Sequence, residues 1–107
     1  MSGKGTFDEV IHAPLRLRIC GLLRSVVGLD FAILRDMLDV SDATLSKHLK
    51  ALSTSGYVDT TKMASTKRDD ARRVTWLFLT SLGKDAFDEH IQALRTIAAG
   101  VDLNAVT

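Results

Sequence analysis

The chain has 107 residues, with 14 Lys+Arg against 13 Asp+Glu, a formal net charge of +1, 46% hydrophobic and 25% charged residues, one Cys and one Pro. That length suits one domain with one modest core and excludes a second, because domains typically hold about 100–150 residues. Low proline and ordinary hydrophobicity exclude disordered and fibrous classes, while the lone Cys20 excludes an internal disulfide or multi-cysteine metal cluster and points to a reducing cytoplasm.

The opening residues Met1 to Gly5 are small and polar, without the apolar stretch of a signal peptide, so residues 1–6 are expected to be disordered. Phe7, Val10 and Ile11 then begin an apolar stripe that resumes at Leu15, Ile19, Leu22, Leu23 and Val26 with helical spacing. Inside a helix Pro14 would remove a hydrogen bond and clash with the preceding turn. The spacing therefore predicts a short separate turn, then a main helix with Pro14 in its first turn and a stop at Gly28.

Asp30 offers a capping oxygen to a short helix whose Ile33, Leu34, Met37 and Leu38 share one face, and Asp39-Val40 breaks it. Ser41 caps a third helix with Leu45, Leu49 and Leu52 at i, i+4 and i+7, ending at Gly56. Two short helices joined by a tight turn have the sequence form of a helix-turn-helix. Next come β-branched and aromatic runs, Tyr57 to Thr61 and Val74 to Leu79. The polar stretch from Ser65 to Arg73 separates them, which predicts a hairpin over 57–79 with a long charged tip.

Val74 to Gly83 is uncharged but only about half the ~20 residues of a membrane-spanning helix, so no membrane partner is expected. Thr80 caps a last helix whose Leu82, Ala86, Phe87, Ile91, Leu94, Ile97 and Ala98 are too widely spread for one narrow stripe. Such a helix is expected to pack on its own core and on a partner. Gly100 ends it, and residues 100–107 read as a loosely ordered tail.

With Leu45, Leu49 and Leu52 facing inward, the third helix must present Ala43, Ser46, Lys47 and Lys50 outward, with Thr44 beside them. Taken alone this could be an ordinary solvated face. It is also the mixture a groove-reading helix needs, since small residues allow close approach while Ser, Thr and Lys reach bases and phosphates. Between Asp42 and Trp76 there are seven basic residues (Lys47, Lys50, Lys62, Lys67, Arg68, Arg72, Arg73) and four acidic (Asp42, Asp59, Asp69, Asp70), a net of +3; the rest carries −2. Positive charge gathered on one helix and one hairpin tip is the footprint of a phosphate-binding surface, although Asp69 and Asp70 must pair with arginine or turn away.

The element order resembles the small winged helix-turn-helix regulators grouped with the MarR and ArsR superfamilies. The residues carrying the resemblance are Ile11 to Ile19, Asp30 to Leu34, Leu45-Ser46-Lys47-His48-Leu49-Lys50-Ala51-Leu52, Gly56-Tyr57-Val58, and Trp76 to Thr80 with Gly83. The resemblance implies a mainly α fold with a small β-hairpin, an α+β winged helix over residues 7–99. It implies a homodimeric, cytoplasmic repressor on an inverted-repeat operator in double-stranded DNA, rather than an enzyme.

By position it also implies DNA contacts from Ser41, Ala43, Thr44, Ser46, Lys47 and Lys50 on the recognition helix and from Lys67, Arg68, Arg72 and Arg73 on the wing. Dimer contacts would come from the terminal helices, through Phe7, Val10 and Ile11 and through Phe87, Ile91, Leu94, Ile97 and Ala98.

No cofactor is expected, and no metal: the second and third helices lack the cysteines of the arsenic-repressor branch, and His12, His48 and His90 have no zinc-site spacing. Structural or surface roles suit these histidines. Cys20 reads as a buried thiol, with a redox switch as the lesser alternative. Trp76 and Phe78 fit packing better than base stacking. Nothing in the sequence identifies a small-molecule effector. The competing function is a winged helix used as a protein-interaction module, because fold alone does not guarantee DNA binding.

Overall fold

The computed structural model describes residues 5–64 and 73–100. In chain order they form α1 (Glu9–His12), α2 (Pro14–Arg24), β1 (Leu29–Asp30), α3 (Phe31–Leu38), α4 (Asp42–Thr54), β2 (Val58–Ala64), β3 (Arg73–Leu79) and α5 (Ser81–Ala98). The boundaries follow local chemistry. Asp8 accepts from the amides of Val10 and Ile11 at 2.9 and 3.0 Å and starts α1, while Pro14 opens α2 where no amide donor is needed. Asp30, Ser41 and Thr80 cap α3, α4 and α5 by accepting from Ala32, Thr44 and Gly83. The turn of the helix-turn-helix rests on Asp39, whose left-handed φ of 56° closes α3. Gly56, at φ 81°, turns the chain from α4 into the hairpin, where a side chain would be strained.

The hairpin is part of a three-stranded antiparallel sheet in the order β1-β3-β2. Val58 pairs with Leu79 and Ala64 with Arg73. The short β1 was not expected from the sequence: it pairs Leu29 with Leu77 and Asp30 with Trp76. It also moves the stop of α2, which ends at Arg24 rather than at Gly28. Gly28 instead lies flat against the Trp76 indole, where any Cβ would overlap the ring. Trp76 is accordingly packed within the sheet.

One core joins these elements. Ile19 and Leu23 of α2, Leu34 and Leu38 of α3, Leu45 and Leu52 of α4, and Val58, Leu77 and Leu79 of the sheet are buried together, with Cys20 among them. Two expectations about the N-terminal segment change. Ile11, which the resemblance placed at a dimer contact, is 0% exposed within this single chain and belongs to the core. The stripe spacing that marked it cannot distinguish a core face from an interface face. The segment expected to be disordered is also ordered at its end, where the Thr6 amide donates to the Glu89 carbonyl of α5 at 3.1 Å.

Candidate nucleic-acid interface

The three leucines of α4 are buried, and this leaves Ala43, Ser46, Lys47 and Lys50 exposed on the opposite face, as the spacing requires. Ser41 and Thr44 stand differently. The Ser41 hydroxyl accepts from the Thr44 amide at 3.1 Å and donates to the Thr44 hydroxyl at 3.0 Å, so both side chains are engaged in starting the helix. The N-terminus of α4 is tied to α3 by Arg35, which donates to Asp42 and to Asp36 at 2.9 Å each. Hydrogen bonding to these two carboxylates holds the Arg35 guanidinium still more firmly charged than usual.

Beside α4 runs a groove lined by Phe31, Leu49 and Leu77 at its floor and by Ser46, Lys50, Ser53, Thr60 and Thr75 along its walls. Thr60 and Thr75 bring the sheet into the same surface as the helix. Next to them Lys62 donates to the Thr75 hydroxyl at 3.0 Å across the strand pair. In the sequence Thr60 and Thr75 stood out only as strand formers, and Lys62 only as one of the charges in the basic segment. The signal was available in the alternation of Thr60 and Lys62 on one face of a strand, but the opposing register was not. Lys67, Arg68 and Arg72 lie outside the described residues. Arg73 begins β3, paired with Ala64.

At the other end of the molecule, α5 buries Gly83, His90, Ala93 and Thr96 against the domain. Phe87 is half-buried on the core, and Ile91 and Leu94 are half-buried, while Ala98, Ile97 (49%) and Leu82 (57%) are exposed. Val10 packs on the core, and the Phe7 ring lies against His12 and His90, with centroids 4.6 and 4.7 Å away. The histidines, far apart in sequence, meet in space: His12 Nδ1 and His90 Nε2 are 3.2 Å apart, and Asp8 donates its amide to His90 Nδ1 at 2.9 Å. Tyr57 donates its hydroxyl to the Asp8 carboxylate at 2.6 Å, which with burial pushes the phenol up to about 12. No group of three or more metal-ligating side chains occurs among the described residues.

A capped helix-turn-helix, an exposed basic helix face and a strand pair flanking it make up a winged helix. The family model described as a winged helix DNA-binding domain matches residues 15–98. The chain belongs to the winged helix DNA-binding domain family. As a winged-helix domain it is a DNA-binding protein and not an enzyme.

A protein of Methanocaldococcus jannaschii is 26% identical to it over 94 residues, which span 88% of this chain and 98% of that one. Among solved structures, a transcriptional regulator homologue from Pyrococcus horikoshii superposes with a TM-score of 0.79 at 24% identity, covering 90% of this chain and 91% of the other. The YusO protein of Bacillus subtilis gives 0.66 at 22% identity over 88% of this chain, which spans 62% of YusO. These likenesses establish that the winged-helix fold is shared. No helix among the described residues is long and apolar enough to cross a membrane.

Proposed function

We propose that this winged-helix domain, residues 7–99, is a MarR-like, sequence-specific transcriptional regulator that acts in the cytoplasm as a homodimer and represses by occluding a promoter site. The observation that carries this reading is the α4 face: Ala43, Ser46, Lys47 and Lys50 are all exposed on a helix pinned at its start and continuous with the polar groove wall of the sheet. Small residues permit approach to base edges, and the two lysines supply phosphate contacts. Ser41 and Thr44 sit at the N-terminus of the helix, where backbone amides also face a phosphate. The resemblance assigns Lys67, Arg68, Arg72 and Arg73 to contacts with the neighbouring backbone or minor groove, and their charge suits phosphate. The structural likeness to a transcriptional regulator homologue supports the same role.

A second copy would cover the outward side of α5, through Leu94, Ile97 and Ala98 with Phe87, Ile91, Phe7 and Val10 at the margin. Two recognition helices related by a twofold axis then meet successive major grooves about 34–36 Å apart, so the operator is an inverted repeat. Binding of promoter fragments at rising salt tests the reading. The log–log slope should be steep, and Lys47→Ala or Lys50→Ala should each lower it by about one and weaken binding to all sequences alike. A flat salt response, or slopes unchanged by both substitutions, would overturn it.

A further inference from the structure

All three histidines of the chain lie on one route from α5 to the recognition helix, made of two sets of hydrogen bonds joined through the backbone of α1. On α5, the fully buried His90 is held between the Asp8 amide and His12. Asp8 and His12 bracket α1, and the carbonyl of Val10 within α1 accepts from Arg16 Nε at 2.5 Å. The same guanidinium donates through Nη1 to His48 Nδ1 at 3.1 Å, and His48 sits on α4 between Lys47 and Leu49.

The partners fix the proton positions. A backbone amide and a guanidinium can only donate, so His90 Nδ1 and His48 Nδ1 must both be bare acceptors. His90 then carries its proton on Nε2 and donates it to His12 Nδ1, which must be bare as well. The path exists only with three neutral imidazoles. A proton added at His12 Nδ1 faces the Nε2 proton of His90. Passing the conflict on to His90 Nδ1 breaks the Asp8 bond, and a proton at His48 Nδ1 sets an imidazolium against a guanidinium.

We propose that the three histidines make the placement of the recognition helix proton-sensitive, so that acidification breaks its link to α5 and weakens binding to DNA. The proposal rests on the DNA-binding reading above. Facing His90 are Asp8, Glu9 and His12 from the N-terminal segment and α1; facing His48 are Arg16 from α2 and Lys47 on α4 itself. Burial and then His12 hold His90 below its ordinary value, against the opposite pull of Asp8 and Glu9. Burial and then Arg16 and Lys47 do the same for His48. Neighbouring Cys20 and Tyr57, both pushed up to about 12, stay neutral throughout, in contrast to His48 and His90. The sign is distinctive, because added positive charge on a DNA-facing helix would by itself tighten phosphate binding in acid.

The test compares operator binding by the full chain at about pH 7.5 and about pH 5.5, together with His48→Asn, His90→Asn and the double variant. Asparagine keeps an acceptor near the Nδ1 position and does not titrate. The wild type should lose about fivefold to tenfold in affinity on acidification, the equivalent of one or two hydrogen bonds, while remaining folded by circular dichroism. His48→Asn alone should halve that response or better, and the double variant should abolish it.

Binding that is unchanged or tighter in acid overturns the proposal, as does a double variant that keeps the wild-type response or a wild type that has unfolded at the lower pH. Should His90→Asn not fold, His48→Asn decides alone, together with the NMR tautomer of His48, which must carry its proton on Nε2 at neutral pH. Absence of DNA binding at about pH 7.5 overturns the proposed function itself, a result distinct from binding with no acid response.

Discussion

Gly21 and Gly83 both lie in helices, α2 and α5, and alanine at either gains helix propensity worth up to about 0.8–1 kcal/mol. Their surroundings give the two substitutions opposite signs. A Cβ on Gly21 meets only the Phe87 ring edge at 3.7 Å, an ordinary contact. Gly21→Ala should therefore stabilise the chain by roughly 0.5–1 kcal/mol, raising Tm by about 2–8 °C.

A Cβ on Gly83 would lie 2.2 Å from the Tyr57 carbonyl oxygen and 3.0 Å from Leu79 Cδ1. That oxygen is held in place, accepting from the Thr80 amide at 2.9 Å and the Thr80 hydroxyl at 3.2 Å, and the same hydroxyl caps the Gly83 amide at 3.0 Å. Ordinary contact requires the start of α5 and the head of β2 to part by about 1 Å, at an overpacking cost of about 1–3 kcal/mol with part of a helix cap lost as well. Propensity cannot offset both, so Gly83→Ala should destabilise by about 1–3 kcal/mol. Urea unfolding followed by circular dichroism measures both variants. A Gly83→Ala chain as stable as wild type, or a Gly21→Ala chain less stable, would refute the reasoning.

Tyr57→Phe removes the donor to Asp8 at 2.6 Å and leaves a half-buried carboxylate oxygen without it; a loss of about 1–2 kcal/mol is expected in the same assay, and none would contradict the role given to Asp8. Cys20, whose thiol burial pushes up to about 12, should resist iodoacetamide in the folded chain and react only on unfolding; rapid labelling in native buffer would show an accessible thiolate. His48 and His90 are both held below the ordinary value of 6.5, so between their folded values and 6.5 the unfolded chain binds more protons. Stability is then full above about pH 6.5 and declines below it, by at most about 1.4 kcal/mol per pH unit for each group; a stability curve flat from neutral to mildly acid pH would contradict this.

The helix-turn-helix was legible in the sequence because each of its parts is locally encoded. Asp30 and Ser41 announce caps within three residues of the amides they serve, as Thr80 does for α5, and Leu45, Leu49 and Leu52 fix the outward face of α4 without reference to the rest of the chain. What was missed depends on contacts distant in sequence. Two residues of β1 carry no periodicity of their own and become a strand only because Trp76 and Leu77 lie alongside. His90 is separated from Asp8 by 82 positions, so no spacing rule links them, and Asp8 itself reads locally as one more helix cap. Ile11 was placed at a dimer contact by resemblance, and its apolar stripe could not correct this, because a stripe states that a face is covered but not by what.

The same ambiguity bears on α5, where the structure separates the two kinds of contact. In the middle of its inner face stands a histidine fixed by an amide and a second ring, and an ion pair from Arg24 to Asp88 at 2.9 Å secures its side. Directional polar contacts thus orient the helix, and its apolar residues Leu94 and Ile97 are not all needed for the core. Ile97, 49% exposed, lies on the surface proposed for a second copy. A charge there should therefore separate assembly from folding. Ile97→Glu should leave stability within about 0.5 kcal/mol of wild type, as for a surface change, while shifting the mass in analytical ultracentrifugation from dimer to monomer. An unchanged dimer would exclude this face from the interface. A large loss of stability would mean that Ile97 serves the core of its own chain.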